Sequence, residues 1–158
     1  MKLFGVALAC GALAATLSLV TPAAAATTIK YHATFVENGA GQAVCAPGTS
    51  CGSATFSGLG HVSFQSLAFD ACGPNCHVRT ITFDDGSTLV IQESGVGDYV
   101  VSPGNSSAAG PNAPIFLEIT QTIVGGSGAF AGATGGGTGR VNLAAGAIVT
   151  ASGTIALP

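Results

Sequence analysis

Residues 115–124 alternate. Ile115, Leu117, Ile119 and Ile123 share one parity, and Glu118, Thr120 and Thr122 share the other. A side-chain period of two describes a strand with one face in a core and one in water. The same period recurs at 29–36, where Ile29, Tyr31, Ala33 and Phe35 oppose Lys30, His32, Thr34 and Val36. Two further strand-like runs, 78–83 and 88–93, flank Asp84-Asp85-Gly86-Ser87; Asp-Gly suits a tight hairpin turn whose central residues need positive φ. Between 54 and 69 the parity slips, with Val62 and Phe64 on one side and Leu67 and Phe69 on the other, as a β-bulge produces. Gly58 and Gly60 mark a corner, and Gly95 and Gly97 are expected to end the 88–93 strand before a short one at 99–101. Residues 138–143 and 147–157 form a last hairpin around Ala144-Ala145-Gly146, and no run beyond the first 26 residues has a helical period with caps. Seven to nine strands in a chain of this size predict an all-β fold: an antiparallel barrel of about eight strands, with a β-sandwich as the alternative. Closure also hides strand edges that a chain with few charges has little other means to protect.

The stretch 125–135 carries Gly125, Gly126, Gly128, Gly132 and Gly135 around one large side chain, Phe130. Glycine permits close backbone approach and angles closed to other residues. Gly126, Gly128, Phe130, Gly132 and Gly135 therefore read as a structural turn in which the ring is pushed into the core. The stretch lacks a Gly-Lys-Ser/Thr ending and opens no helix, so a phosphate loop is not expected.

Residues 1–26 read as a signal peptide: Lys2, then an apolar run from 3 to 20, Pro22, and a small-residue cleavage site at Ala23-Ala24-Ala25-Ala26. The expectation is a secreted protein, extracellular or periplasmic, with no membrane span once the leader is cut. Residues 27–158 then form a single domain, long enough for one core. Cys45, Cys51, Cys72 and Cys76 remain, an even number in an exported chain, which implies disulfides. Of the three pairings that four cysteines allow, Cys45–Cys51 and Cys72–Cys76 are favoured because each brackets a loop rich in Gly and Pro. His77 follows Cys76, but the spacings C-x5-C and C-x3-C-H fit no common zinc pattern, so neither metal nor cofactor is expected.

The domain sets Lys30, Arg79 and Arg140 against seven acidic side chains, a balance of −4, and nucleic acid is a poor partner for such a surface. Asn105-Ser106-Ser107 matches a glycosylation sequon. Two side chains stand out as ligand-binding candidates. Glu93 shares parity with Leu89 and Ile91; facing inward it would be a buried carboxylate, a candidate acid or base. The reading preferred from sequence places it in water at the barrel mouth. Tyr31 lies on the apolar face of its strand and could bond a ligand, although such a tyrosine is more often core with its hydroxyl near solvent. Glu118 reads as outward and solvated. His32, His61 and His77 share no spacing, and no Gly-x-Ser-x-Gly elbow is present, so catalytic residues stay unassigned.

The run Gly126-Ser127-Gly128-Ala129-Phe130-Ala131-Gly132-Ala133-Thr134-Gly135-Gly136-Gly137, with Gly58-Leu59-Gly60-His61 and Asp85-Gly86-Ser87-Thr88-Leu89 upstream, resembles a pattern of bacterial exported proteins. Its Gly-x-Gly-x-Phe core looks like that of the allene oxide cyclase and dirigent barrels of plants. The resemblance implies an eight-stranded antiparallel barrel with an apolar cavity, and a homo-oligomer, since plant members are commonly trimeric. It carries over no active-site residue. Three roles follow as expectations: a module binding a small apolar ligand in the barrel, a structural protein with a filled barrel, or, as the alternative, an enzyme of cyclase or isomerase type working in a dry lumen.

Overall fold

The computed structural model describes residues 26–37, 45–101, 115–142 and 148–158. Residues 1–25 of the expected signal peptide, the sequon match at 105–107 and the expected turn Ala144-Ala145-Gly146 lie outside the described residues. Eight strands run in chain order: β1 (Thr27–Glu37), β2 (Thr49–Phe56), β3 (Val62–Gly73), β4 (Cys76–Phe83), β5 (Thr88–Val101), β6 (Ile115–Ser127), β7 (Thr134–Asn142) and β8 (Ile148–Leu157). Each pairs antiparallel with the next, and β8 returns to β1 from Thr27↔Leu157 to Val36↔Ile148. The sheet is a closed barrel. The sandwich alternative is set aside by that last pairing.

The alternation holds where it was strongest. Tyr31, Ala33 and Phe35 are buried on β1, Ile81 and Phe83 on β4, Leu89 and Ile91 on β5, Ile119 and Ile123 on β6. Aromatic rings run through the core from Tyr31 and Phe35 to Phe56, on to Phe83, and finally to Phe130, whose ring centroid lies 4.6 Å from that of Phe83. Both disulfides have the expected pairing, Cys45–Cys51 and Cys72–Cys76.

Two boundaries, one bulge and one turn differ from the sequence reading. β2 begins at Thr49, inside the loop that Cys45–Cys51 was expected to bracket, where Cys51 is tied to Cys45. β5 continues through Gly95 and Gly97 to Val101 because β6 supplies a hydrogen-bonding partner along that length, with a register shift between Val96 and Val100. The bulge in β3 lies between Val62 and Phe64, so Phe64 points out of the barrel and Leu67 into it; a second irregularity at Asp70 (φ 52°) leaves Phe69 exposed. At the β4–β5 hairpin only Gly86 has positive φ. Gly86 N bonds Phe83 O and Phe83 N bonds Ser87 O, which makes a type I turn closed by a glycine bulge rather than a two-residue turn.

The glycine stretch is only partly a turn. Gly126 belongs to β6 and Gly135 to β7; between them Gly128–Phe130 forms one turn of 3₁₀ helix, followed by Gly132. The turn is pinned to the β4–β5 hairpin: Ala129 N donates to Ser87 Oγ, which donates to Asp85 Oδ2. A Cβ on Gly126 would lie 2.8 Å from Cβ of Phe130, so the ring can seat only beside a glycine. Phe130 is buried, the expected plug of this end of the barrel.

Candidate functional site

Moving along the barrel from the Phe130 end, the inward pairs change character. Leu89 beside Gly126 and Ile91 beside Ile123 are apolar, but the next inward pair is Glu93 beside Gln121. Arg79 enters from β4 opposite Ile91, on the same parity as Ile81 and Phe83, and reaches toward Glu93. Its side chain is fully buried and centres a network of buried polar groups.

The guanidinium grips Glu93 with two bonds, Nε to Oε1 at 2.8 Å and Nη2 to Oε2 at 2.9 Å. Nη2 also donates to Oε1 of Glu37 at 2.7 Å, across the barrel from β4 to β1, and Nη1 donates to Oε1 of Gln65 on β3. Gln121 Nε2 donates to Glu93 Oε1 at 2.7 Å, and Tyr31 Oη donates to Gln121 Oε1 at 2.7 Å. The Phe35 ring lies 4.1 Å from the guanidinium carbon, so a cation–π contact covers one of its faces. Five strands contribute to this set.

A buried charge persists only when paired and hydrogen-bonded. Burial alone would lower the Arg79 pKa, but Glu93 and then Glu37, through charge and hydrogen bonds, hold it above its ordinary value. One guanidinium faces two carboxylates, so the set carries a formal excess of one negative charge. Tyr31 is affected in turn: burial first, and the Glu93 charge second, push its pKa up to about 12. Its hydroxyl therefore stays protonated and donating at neutral pH. Two polar atoms of this region, Ser50 Oγ and Gln65 Nε2, are buried and find no partner.

Both sequence candidates thus lie inside the barrel and are joined through Gln121. Glu93 is 3% exposed, not in water at the mouth, because Arg79 supplies the counter-charge that lets a carboxylate leave solvent. The Tyr31 hydroxyl is likewise buried rather than near solvent. Arg79, Gln65, Gln121 and Glu37 were missed. Arg79 had a readable signal: it shares the apolar parity of its strand, one hairpin away from Glu93 on the matching parity of the next.

Two concavities lie outside this network. A cup of about 250 Å³ opens at the Phe130 end, lined by Leu59, Phe83 and Phe130, with His61, Asp84 and Asp85 at its rim. The corner at Gly58 and Gly60 is held over the hairpin by Asp84 N donating to His61 O at 3.0 Å. A larger groove of about 530 Å³ lies on the outer wall across β6, β7, β8 and β1, and includes His32 and Glu118, which is exposed as expected. The third histidine, His77, sits apart beside Asp70. Among the described residues no group of three His, Cys, Asp or Glu side chains is placed to hold a metal ion. No helix among them is long and apolar enough to cross a membrane.

The chain matches no known family model, no curated protein and no solved structure.

Proposed function

We propose that this is an exported binding module that takes a small apolar ligand at the Phe130 end of the barrel, with the Arg79 network as its structural core. One observation carries the reading: Glu93 and Tyr31 are both committed to the Arg79 network, whereas the cup at the end is lined by Leu59, Phe83 and Phe130. Every oxygen of Glu93 accepts a bond from Arg79 or Gln121, and Tyr31 is held by Gln121. A cyclase or isomerase working in the lumen would need one of these groups free to meet a substrate. The cup offers Leu59 and the Phe83–Phe130 pair instead, the mixture of apolar lining and a few rim polar groups that suits small ligands. Its volume is below the usual range of about 300–1,000 Å³, so the ligand is a single ring or a short chain. The two disulfides support an oxidising compartment and hence export. The closed eight-strand order is what supports a relation to the allene oxide cyclase and dirigent barrels.

The test is a fluorescence titration with N-phenyl-1-naphthylamine, a neutral apolar dye, on the native protein and on Leu59→Asp. Saturable enhancement that Leu59→Asp abolishes, with unchanged circular dichroism, is the expected result. Enhancement of equal size in the variant, or none in either protein, would leave the filled barrel with a structural role only.

A further inference from the structure

The outer groove arises from what the inner side of β7 lacks. Gly137 and Gly139 face the interior, where other strands place side chains. A Cβ at Gly137 would lie 2.7 Å from Tyr31 Oη, and one at Gly139 would lie 3.0 Å from Ile119 Cγ1. Opposite Gly137, Gly153 of β8 also packs against the Tyr31 ring. With no side chains to hold it off, this part of the wall lies close against the core, and its outer surface carries a concavity where a barrel wall is ordinarily convex.

Register fixes what lines it. Glu118, Arg140 and Thr150 form one row across β6, β7 and β8, and Thr120, Thr138 and Ser152 form the next, continued by His32 on β1. Four strands at a spacing of about 4.8 Å span about 14 Å, with successive rows about 7 Å apart. All of these side chains are exposed. Among the described residues none of the four hydroxyls is engaged in a side-chain hydrogen bond, nor is the Glu118 carboxylate. Glu118 and Arg140 are direct cross-strand neighbours, yet they form no ion pair; Arg140 lies instead over the Phe116 ring at 4.5 Å. The groove therefore presents a row of unspent donors and acceptors.

We propose that this groove binds a neutral oligosaccharide, whose hydroxyls pair with Thr120, Thr138, Thr150 and Ser152 beside Arg140 and Glu118. Hydroxyl side chains both donate and accept, as sugar hydroxyls do. One cation and one anion balance, so the lining favours a neutral ligand over a polyanion. Ile119 and Ala151 also line the groove, but the exposed hydroxyl rows suit a ligand rich in hydroxyls better than a wholly apolar one. The volume of about 530 Å³ lies well within the range of small-molecule sites. The site is independent of the apolar cup at the barrel end.

Calorimetric titration and amide chemical-shift mapping with cellohexaose and with N-acetylated chitohexaose test the idea. At least one of these neutral sugars binds saturably, with shifts centred on Thr138 and Ser152. The double substitution Thr138→Val/Ser152→Ala weakens it by about tenfold or more without changing the melting temperature. Leu59→Asp, which tests the apolar cup, leaves sugar affinity unchanged. No saturable binding of either sugar up to millimolar concentration overturns the proposal, as does equal affinity in the double variant. A concentration-dependent dimer that the double substitution disperses would assign the groove to subunit contact instead.

Discussion

Replacing Arg79 by Met keeps much of the side chain's length and removes its charge and all of its donors. Four hydrogen bonds go at once, and two carboxylates, Glu93 and Glu37, are left in the interior without a counter-charge. Breaking a buried ion pair by deleting one partner costs about 3–5 kcal/mol. The upper half of that range applies, since one guanidinium here serves two carboxylates and a buried amide. Against a total stability of about 5–15 kcal/mol this is a large fraction. With a urea slope of about 2 kcal/mol per molar, the unfolding midpoint falls by roughly 2 M. The chain has no tryptophan, so far-ultraviolet circular dichroism is the signal to follow. The loss is coupled to Glu93. Glu93→Gln alone leaves one guanidinium facing one carboxylate and costs less, and adding it to Arg79→Met recovers part of the deficit rather than adding to it. A loss below about 1 kcal/mol, or strict additivity in the double variant, would refute the reasoning.

Tyr31 ionises at about 12, so the component missing from the absorbance titration of Tyr31→Phe is the one at that pH, not one near 10. Because this pKa is raised in the folded state, its contribution to stability is complete below about pH 10 and is lost as the pH climbs toward 12. Gly137→Ala destabilises by about 1–3 kcal/mol in thermal unfolding, because the new methyl meets Tyr31 Oη and the Ser152 carbonyl. Gly95→Ala, whose nearest neighbour would be Leu117 Cδ1 at 3.8 Å, changes the melting temperature little. Removing Cys72–Cys76 as a pair of serines costs no more than about 2 kcal/mol, since it closes a short loop, and leaves the strand signal in circular dichroism intact.

Where side chains alternate, the fold was legible. Residues 29–36, 78–83, 88–93 and 115–124 became parts of β1, β4, β5 and β6, with Tyr31, Ala33, Phe35, Ile119 and Ile123 buried as expected. Where glycine erases parity it was not. Thr134 begins β7, but Gly135, Gly136 and Gly137 give a sequence reader no face to assign, and their pairing with Gln121, Thr122 and Ile123 is a tertiary fact. Gly95 and Gly97 mislead for the same reason, because a strand tolerates glycine when a long neighbour continues beside it.

The interior network shows a different limit. Arg79, Gln65, Gln121 and Glu93 each sit on an apolar parity, and Glu93 taken alone is most simply placed at a strand end in water. Their burial makes sense only jointly, because the cost of hiding each is offset by the others. That joint condition is a matter of cross-strand register, which no single strand discloses.

The central claim is that Arg79 lies inside the barrel, locked by carboxylates. Arg79 and Arg140 are the arginines of the chain, which makes side-chain hydrogen exchange a clean measurement. In a ¹⁵N-labelled sample at neutral pH, one arginine Nε–H resonance should persist for long after transfer to heavy water and vanish from the spectrum of Arg79→Met. Loss of both resonances as fast as from a free guanidinium would contradict the account.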